Sequence, residues 1–408
     1  MNGRILPRPG ISHTLISIAL ATLWAATSLA SDPVPEPFRG HDPESKFTIN
    51  YGDVDAILDA MVVVVGPSSY ESSDPAAAPT GTRMKTRISR STAREGNRLQ
   101  FEAFKSNPDY QAALHNVRLS LEAIPGSMAL EQFSRLEQLA YWLNLHNITL
   151  IDELVGIYPE RELKSELEGK QSIPERKILS VAGVPLSLHD IRHTILLQNY
   201  NGNALVLYGL FQGIIGGPNI RKQAYTGANV TRNLEANARE FINSNRGTAF
   251  YKDKVFKVSE LYEQNGDYFP DFEPNLKLHL MEYMDFPERR QLYLATTFKP
   301  DLDDWTIADV FGAYREVRVS FSTSRAAMLD AVVSNQPDGQ GGTAGTNFSA
   351  ASSGYVARTE SHDRMTSDQL ARLGNAEAYL IKQGRVTIEE LGTAPAESAE
   401  DEPNDSKQ

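Results

Sequence analysis

The sequence predicts an α+β protein: a helix-rich core domain with a small antiparallel sheet, followed by a C-terminal extension. Three observations lead to that class. Between Leu130 and Tyr158 apolar residues recur at three and four along a stripe of Phe133, Leu136, Leu139, Leu143, Leu150, Leu154 and Ile157, which is helix periodicity. Ile178-Leu179-Ser180-Val181 and Val184-Pro185-Leu186 flank Ala182-Gly183, which is hairpin patterning. Stretches rich in Pro, Gly, Ser and acidic residues divide the remainder.

Residues 1–30 predict a secretory signal peptide. Arg4 and Arg8 precede the apolar run from Leu15 to Ala30, and Ser28 and Ala30 are small residues at −3 and −1 of a cut. The run falls short of the ~20 residues a membrane span needs, and Ser17, Thr22 and Thr27 dilute it. Residues 31–97 form an N-terminal leader and helical segment. Helical spacing from Val54 passes into a β-branched run ending at Val65; a loop covers 66–81, and Arg83 to Arg98 is basic.

The core domain covers 98–290. Helices are expected from Arg98 to about Ser120 and over 130–158, where Pro159 stops the run because its ring clashes with the preceding turn. The second helix is apolar on much of its circumference, so it is expected at the centre. After the hairpin, Ser187 caps a helix to about Gln198, with Asp190 where a capping box usually has Glu or Gln. A strand over Asn203–Tyr208, a Gly-rich loop over Gly209–Gly217 and a helix over Asn229–Asn243 follow. A strand over Ala249–Val258 and a helical turn over Ser259–Asn265 come next. The extension, 291–393, opens with Asp301, Asp303 and Asp304 capping a helix near Trp305. It continues through a strand at Glu316–Phe321, a Gly/Ser-rich loop at 336–354 and a helix at Thr366–Gln383. Residues 394–408 form an acidic tail, expected to be disordered.

Composition sets limits. With 408 residues, 41% of them apolar, the chain can bury a sizeable core. The absence of cysteine excludes disulfides, thiolate metal sites and a thiol nucleophile. A net charge of −12 argues against a nucleic-acid partner, since phosphate binding requires a basic surface; the basic stretch reads as a solvated face. The expected protein is exported, secreted or periplasmic. It does not span the membrane once the signal is removed, and its partner is an envelope protein or a small molecule. No cofactor and no resident metal are expected.

Two constellations could carry chemistry. Asn144 and Asn147 lie three apart on one face of a very apolar helix, where an unpaired amide costs about 1–3 kcal/mol. They either bond neighbouring backbone or orient a catalytic histidine and an oxyanion. His189 and His193 share a helix face at i and i+4, a metal-pair spacing. No Glu follows the first His, so the zinc-protease pattern fails. Asp301, Asp303 and Asp304 lack the glycine and later glutamate of a calcium loop.

Trp142-x-Asn144-x-x-Asn147, the hairpin with Asp190-Ile191-x-His193, Asn203 to Pro218, Ala224-Tyr225-Thr226 and Phe256 to Asp267 occur in one order. That order resembles the family called domain of unknown function 547, over roughly 130–285. The resemblance implies a fold similar to papain-like or transglutaminase-like cysteine enzymes and brings no assigned activity. It also implies cysteines before Gly209 and Pro218, where this chain has Tyr208 and Gly217, so this is a cysteine-less member. The family often has tyrosine and an acid where His146 and His189 stand. The candidate catalytic residues are His193, Asn144 and Tyr208. Two readings stay open. In one, the chain is a non-catalytic binding or scaffold module that keeps a pocket lined by those three residues. In the other, it is a hydrolase or acyl transferase with His193 as general base and a non-cysteine nucleophile or water. Tyrosine, with a reference pKa of about 10, needs strong activation for that role.

Overall fold

The computed structural model describes residues 33–65, 68, 92, 95–251, 254–310, 317–319, 355–357 and 386–390. Strand β1 (Phe47–Asn50) leads into α1 (Gly52–Met61), which passes into β2 (Val62–Val63) where the β-branched run begins. β2 pairs with β3 (Arg98–Leu99). Then come α2 (Phe101–Ser106) and α3 (Pro108–Ser127), the latter capped by Asn107, whose side chain accepts from the Asp109 amide.

Helix α4 (Arg135–Ile157) is the long helix the periodicity predicts. Ser134 caps it by accepting from the Glu137 amide, and every residue from Glu137 to Ile151 is buried. A helix apolar around its circumference can hide that surface only at the centre of the fold. α3 packs on it through Arg118, which donates to Asp152 at 3.0 Å and Glu153 at 3.1 Å.

After α5 (Lys164–Leu167), β4 (Leu179–Val181) and β5 (Val184–Leu186) form the expected hairpin. Ala182 and Gly183 have φ of 49° and 78°, as the two central residues of a type I′ turn require. The Ser187 amide donates to Asp190 Oδ2 at 2.6 Å, and the Asp190 amide donates to Ser187 Oγ at 3.0 Å. Aspartate thus closes the capping box in place of glutamate. The helix it starts is π-helical over Asp190–Leu196 before α6 (Leu197–Asn199).

Residues 203–208, expected as a strand, instead form a 3₁₀ helix over Ala204–Gly209. The Asn203 side chain accepts from the Leu205 amide, and such a local bond turns the backbone away from an extended path. Next come α7 (Val230–Ile242), β6 (Thr248–Tyr251), β7 (Val255–Ser259), α8 (Glu260–Gln264), α9 (Phe272–Tyr283), α10 (Phe286–Leu294) and β8 (Thr297–Leu302). The single strand expected over 249–258 is a hairpin, with Lys254 at φ 62° preceding β7. β9 (Val317–Val319) pairs with β10 (Tyr355–Ala357), and β11 (Thr387–Glu390) pairs with β1. The pairings among these strands are antiparallel except β7 with β8, which is parallel.

The core does not end at 290. No helix begins at Trp305; residues 304–310 run as an irregular strap through the interior. The Leu163 amide donates to Trp305 O, Ile215 to Thr306 O, Ala308 to Gly213 O, and Leu99 to Ala308 O, at 2.8–2.9 Å. Ile307 and Asp309 are fully buried. Most of the strap's peptide groups are taken by three other segments, around Leu99, Leu163 and Gly213–Gly216, which leaves too few for a helical ladder. A Cβ on Gly216 would meet the Asp304 backbone at 2.7 Å, so only glycine fits there. The signal peptide, all of the 66–81 loop but residue 68, most of the 83–98 stretch, the 336–354 loop, the 366–383 helix and the 394–408 tail lie outside the described residues.

Ile307→Ala is expected to lower stability by about 2–5 kcal/mol in urea denaturation, because a cavity opens beside buried neighbours. A chain truncated after Leu294 is expected to lose cooperative unfolding, read by circular dichroism. A truncated chain that keeps the full-length midpoint would show that the strap is dispensable.

Candidate functional site

The polar residues of α4 serve the irregular chain packed beside it. Asn144 Nδ2 donates to Tyr225 O at 2.7 Å, and the Tyr225 amide donates to Asn144 Oδ1 at 2.9 Å. Asn147 repeats the arrangement one turn on: its Nδ2 donates to Gly209 O and its Oδ1 accepts from the Phe211 amide, both at 2.9 Å. Glu137 accepts from the amides of Ile49 and Gly227, and a Cβ on Gly227 would meet its Oε2 at 2.6 Å. From α7, Asn237 Nδ2 donates to Tyr208 O at 2.9 Å and Asn219 O at 3.0 Å. Both ends of each clamping amide on α4 are therefore occupied by backbone.

The Asn147 bonds also fix a tautomer. Its Oδ1 is the acceptor facing His146 Nδ1 at 3.2 Å, so that nitrogen carries the proton. His146 Nε2 is then a buried acceptor without a partner. Burial, and next the Arg192 charge, hold the His146 pKa down to about 3, against the Asn147 bond, which raises it.

Tyr208 is fully buried. Its hydroxyl lies 2.8 Å from His279 Nε2 on α9 and 3.2 Å from the Tyr262 hydroxyl on α8. Its ring stacks on His279 with centroids 5.6 Å apart, and Phe241, Phe269 and Tyr283 extend the cluster. Burial, then the neighbouring Tyr262, push the Tyr208 phenol well above its usual range. Burial depresses His279 to about 4, so at neutral pH it can accept from a phenol.

His193 sits on the π-helical turn with its ring stacked on His189, centroids 4.4 Å apart. Its Nδ1 is 3.8 Å from Asp267 Oδ2, and His189 Nε2 is 3.9 Å from Glu175 Oε1, both beyond hydrogen-bond range. Burial first, then the Arg192 and His189 charges, lower His193 to about 3. Among the described residues no set of three or more His, Asp or Glu is placed to hold a metal.

The three candidates thus answer to different partners. Asn144 goes to the Tyr225 backbone, Tyr208 to His279 and Tyr262, and His193 to His189 and Asp267. Sequence reasoning missed His279 and Arg192. Arg192 fills the unspecified position of the Asp190-Ile191-x-His193 motif, and His279 is a lone histidine on a helix face. A separate cleft of about 430 Å³ is lined by Asp59, Asn97, Asn219, Arg221, Lys222 and Glu240, among others. There Lys222 pairs with Asp59 at 2.6 Å, and Arg221 donates to the neutral Asn237 amide oxygen at 2.9 Å.

Residues 130–242 match the model of a family described as protein of unknown function, DUF547. The match runs from just before α4 to the end of α7. No curated protein and no solved structure matches. Among the described residues no helix is long and apolar enough to cross a membrane.

Asn147→Ala would strand two buried backbone groups, Gly209 O and Phe211 N–H. A loss of about 2–4 kcal/mol is expected by chemical denaturation; a loss under about 0.5 kcal/mol would contradict the clamp. The pH dependence of stability follows from His146, whose folded pKa lies below its unfolded value near 6.5. Between those values the unfolded chain binds the extra proton, so stability falls as pH drops from about 6.5 toward 3, by up to about 1.4 kcal/mol per unit. Urea midpoints taken across that window should fall less steeply in His146→Leu than in the wild type. Equal slopes would contradict the assignment.

Proposed function

We propose that the chain is an exported, non-catalytic binding or scaffold protein. The observation that carries this reading is the placement of Tyr208, at the position where the resemblance puts a cysteine. Its hydroxyl is sealed in an aromatic cluster against His279 and Tyr262, and burial holds the phenol protonated. A nucleophile needs access and a base; a buried phenol of raised pKa has neither reach to substrate nor a population of the reactive anion. His193 supports the same reading. With its pKa held near 3, it has little driving force to take a proton at neutral pH. The Asn144 amide, the third candidate, is held at both its nitrogen and its oxygen by the Tyr225 backbone, as a clamp on the loop would be.

Export, to the periplasm or the medium, rests on the Leu15–Ala30 run and the small residues before the cut. Expression with the native N-terminus and mass measurement of the recovered protein should give a chain beginning at Ser31. A chain retaining residues 1–30 would overturn export.

The catalytic question is settled by hydrolysis of p-nitrophenyl acetate and p-nitrophenyl butyrate by the full chain, compared with His193→Ala and Tyr208→Phe. All three proteins are expected to show the same background rate. A rate that falls at least about tenfold in His193→Ala, with the denaturation midpoint unchanged, would overturn the non-catalytic reading.

A further inference from the structure

We infer that Arg192, with the stacked rings of His189 and His193, forms a binding site for an oxyanion, the carboxylate or phosphate group of a small ligand. The inference rests on the binding reading above and names the class of ligand.

The three buried arginines among the described residues are answered. Arg118 donates to Asp152, Glu153 and Glu122. Arg246 meets Glu240 and Glu95. Arg98 donates to the carbonyls of Glu95 and Gly96. Arg192 differs. Its carbonyl accepts from the Tyr268 hydroxyl at 2.6 Å, but among the described residues its guanidinium has no hydrogen bond or ion pair, and its Nε is buried without a partner. Arg192 as a whole is half-buried. Burial lowers its pKa, and Tyr268 and the Glu175 charge act against that, so a bound anion that meets the unpartnered Nε would offset the remaining cost of a partly desolvated cation.

The surrounding groups leave room for that role. The carboxylates of Glu175 and Asp267 stand nearest the rings of His189 and His193, at 3.9 and 3.8 Å, and both are substantially exposed. Asp190 is taken by Lys177 and Ser187. Tyr268 presents a ring edge to His193, and His146 on α4 feels the same guanidinium. The guanidinium offers paired N–H donors that match two oxygens of a carboxylate or phosphate. His189, about half exposed, can add an imidazole N–H. Binding would cancel the Arg192 charge that helps to depress His193, so occupancy should be visible in the His193 titration.

The test is an NMR titration of the histidine ring resonances of the full chain with inorganic phosphate and, separately, acetate, at constant ionic strength held with chloride. Saturable shifts at His193 and His189 are expected, with the His193 pKa rising by about one unit or more. The probe that saturates at lower concentration tells phosphate from carboxylate. Arg192→Met should abolish the saturable response and Arg192→Lys should weaken it about tenfold. If Arg192→Met does not fold, the wild-type titration and Arg192→Lys decide. The site is overturned if wild-type shifts do not saturate, or if Arg192→Met responds like the wild type. It is also overturned if binding appears only in Glu175→Gln, because Glu175 would then be the group that covers Arg192. A null titration leaves the ester-hydrolysis result, and the non-catalytic reading with it, untouched. His193-dependent turnover alongside saturable binding would remove that reading and keep the site.

Discussion

The fold depends on how the irregular chain from Asn203 to Gly227 is held at the centre of the protein. That chain has little regular secondary structure after Gly209, yet Leu210, Phe211, Ile220, Ala224 and Tyr225 are buried. Its peptide groups cannot reach water, and each one left unpaired would cost free energy comparable to a lost hydrogen bond. Helix α4 supplies the partners. Glu137, Asn144 and Asn147 project from one side of it and take the amides of Gly227, Tyr225 and Phe211. Asn237 on α7 takes the carbonyls of Tyr208 and Asn219. The donors and acceptors of these bonds all lie within the family match. What that segment encodes, in physical terms, is a helix that writes hydrogen bonds into a loop.

This arrangement bears on chemistry. A segment fixed at so many points places Tyr208 with little freedom, its carbonyl held by Asn237 and its hydroxyl by His279 and Tyr262. The phenol then acts as a core side chain with a satisfied polar tip. The two histidines His146 and His193 also divide. His146 helps fill the centre, and His193 sits on the π-helical turn with its ring stacked on His189.

Much of the scaffold was legible in the sequence. The 3.6-residue periodicity located α4 and α7 to within a few residues, and Ala182-Gly183 marked the β4–β5 turn. Ser187 and Asp190 announced a cap that forms with both reciprocal bonds. The failures differ in cause. The 3₁₀ turn at Ala204–Gly209 follows a local bond from the Leu205 amide to Asn203, whereas the strap at 304–310 takes its shape from distant partners. Apolar patterning cannot reveal those. The site residues were half legible: the cost of burying amides indicated that Asn144 and Asn147 must be paired, but not with which backbone. That Tyr208 meets His279, seventy-one positions away, has no local signature at all.

Native-state hydrogen exchange of the Phe211 and Tyr225 amides tests the central claim most directly. Both groups lie outside regular secondary structure, and each donates to a single asparagine oxygen. If the α4 clamps hold this chain rigid, both amides exchange only through global unfolding, at rates that track the stability of α4 itself. Exchange orders of magnitude faster than that of the α4 amides would mean that the segment opens on its own, and that Asn144 and Asn147 do not bind it as described.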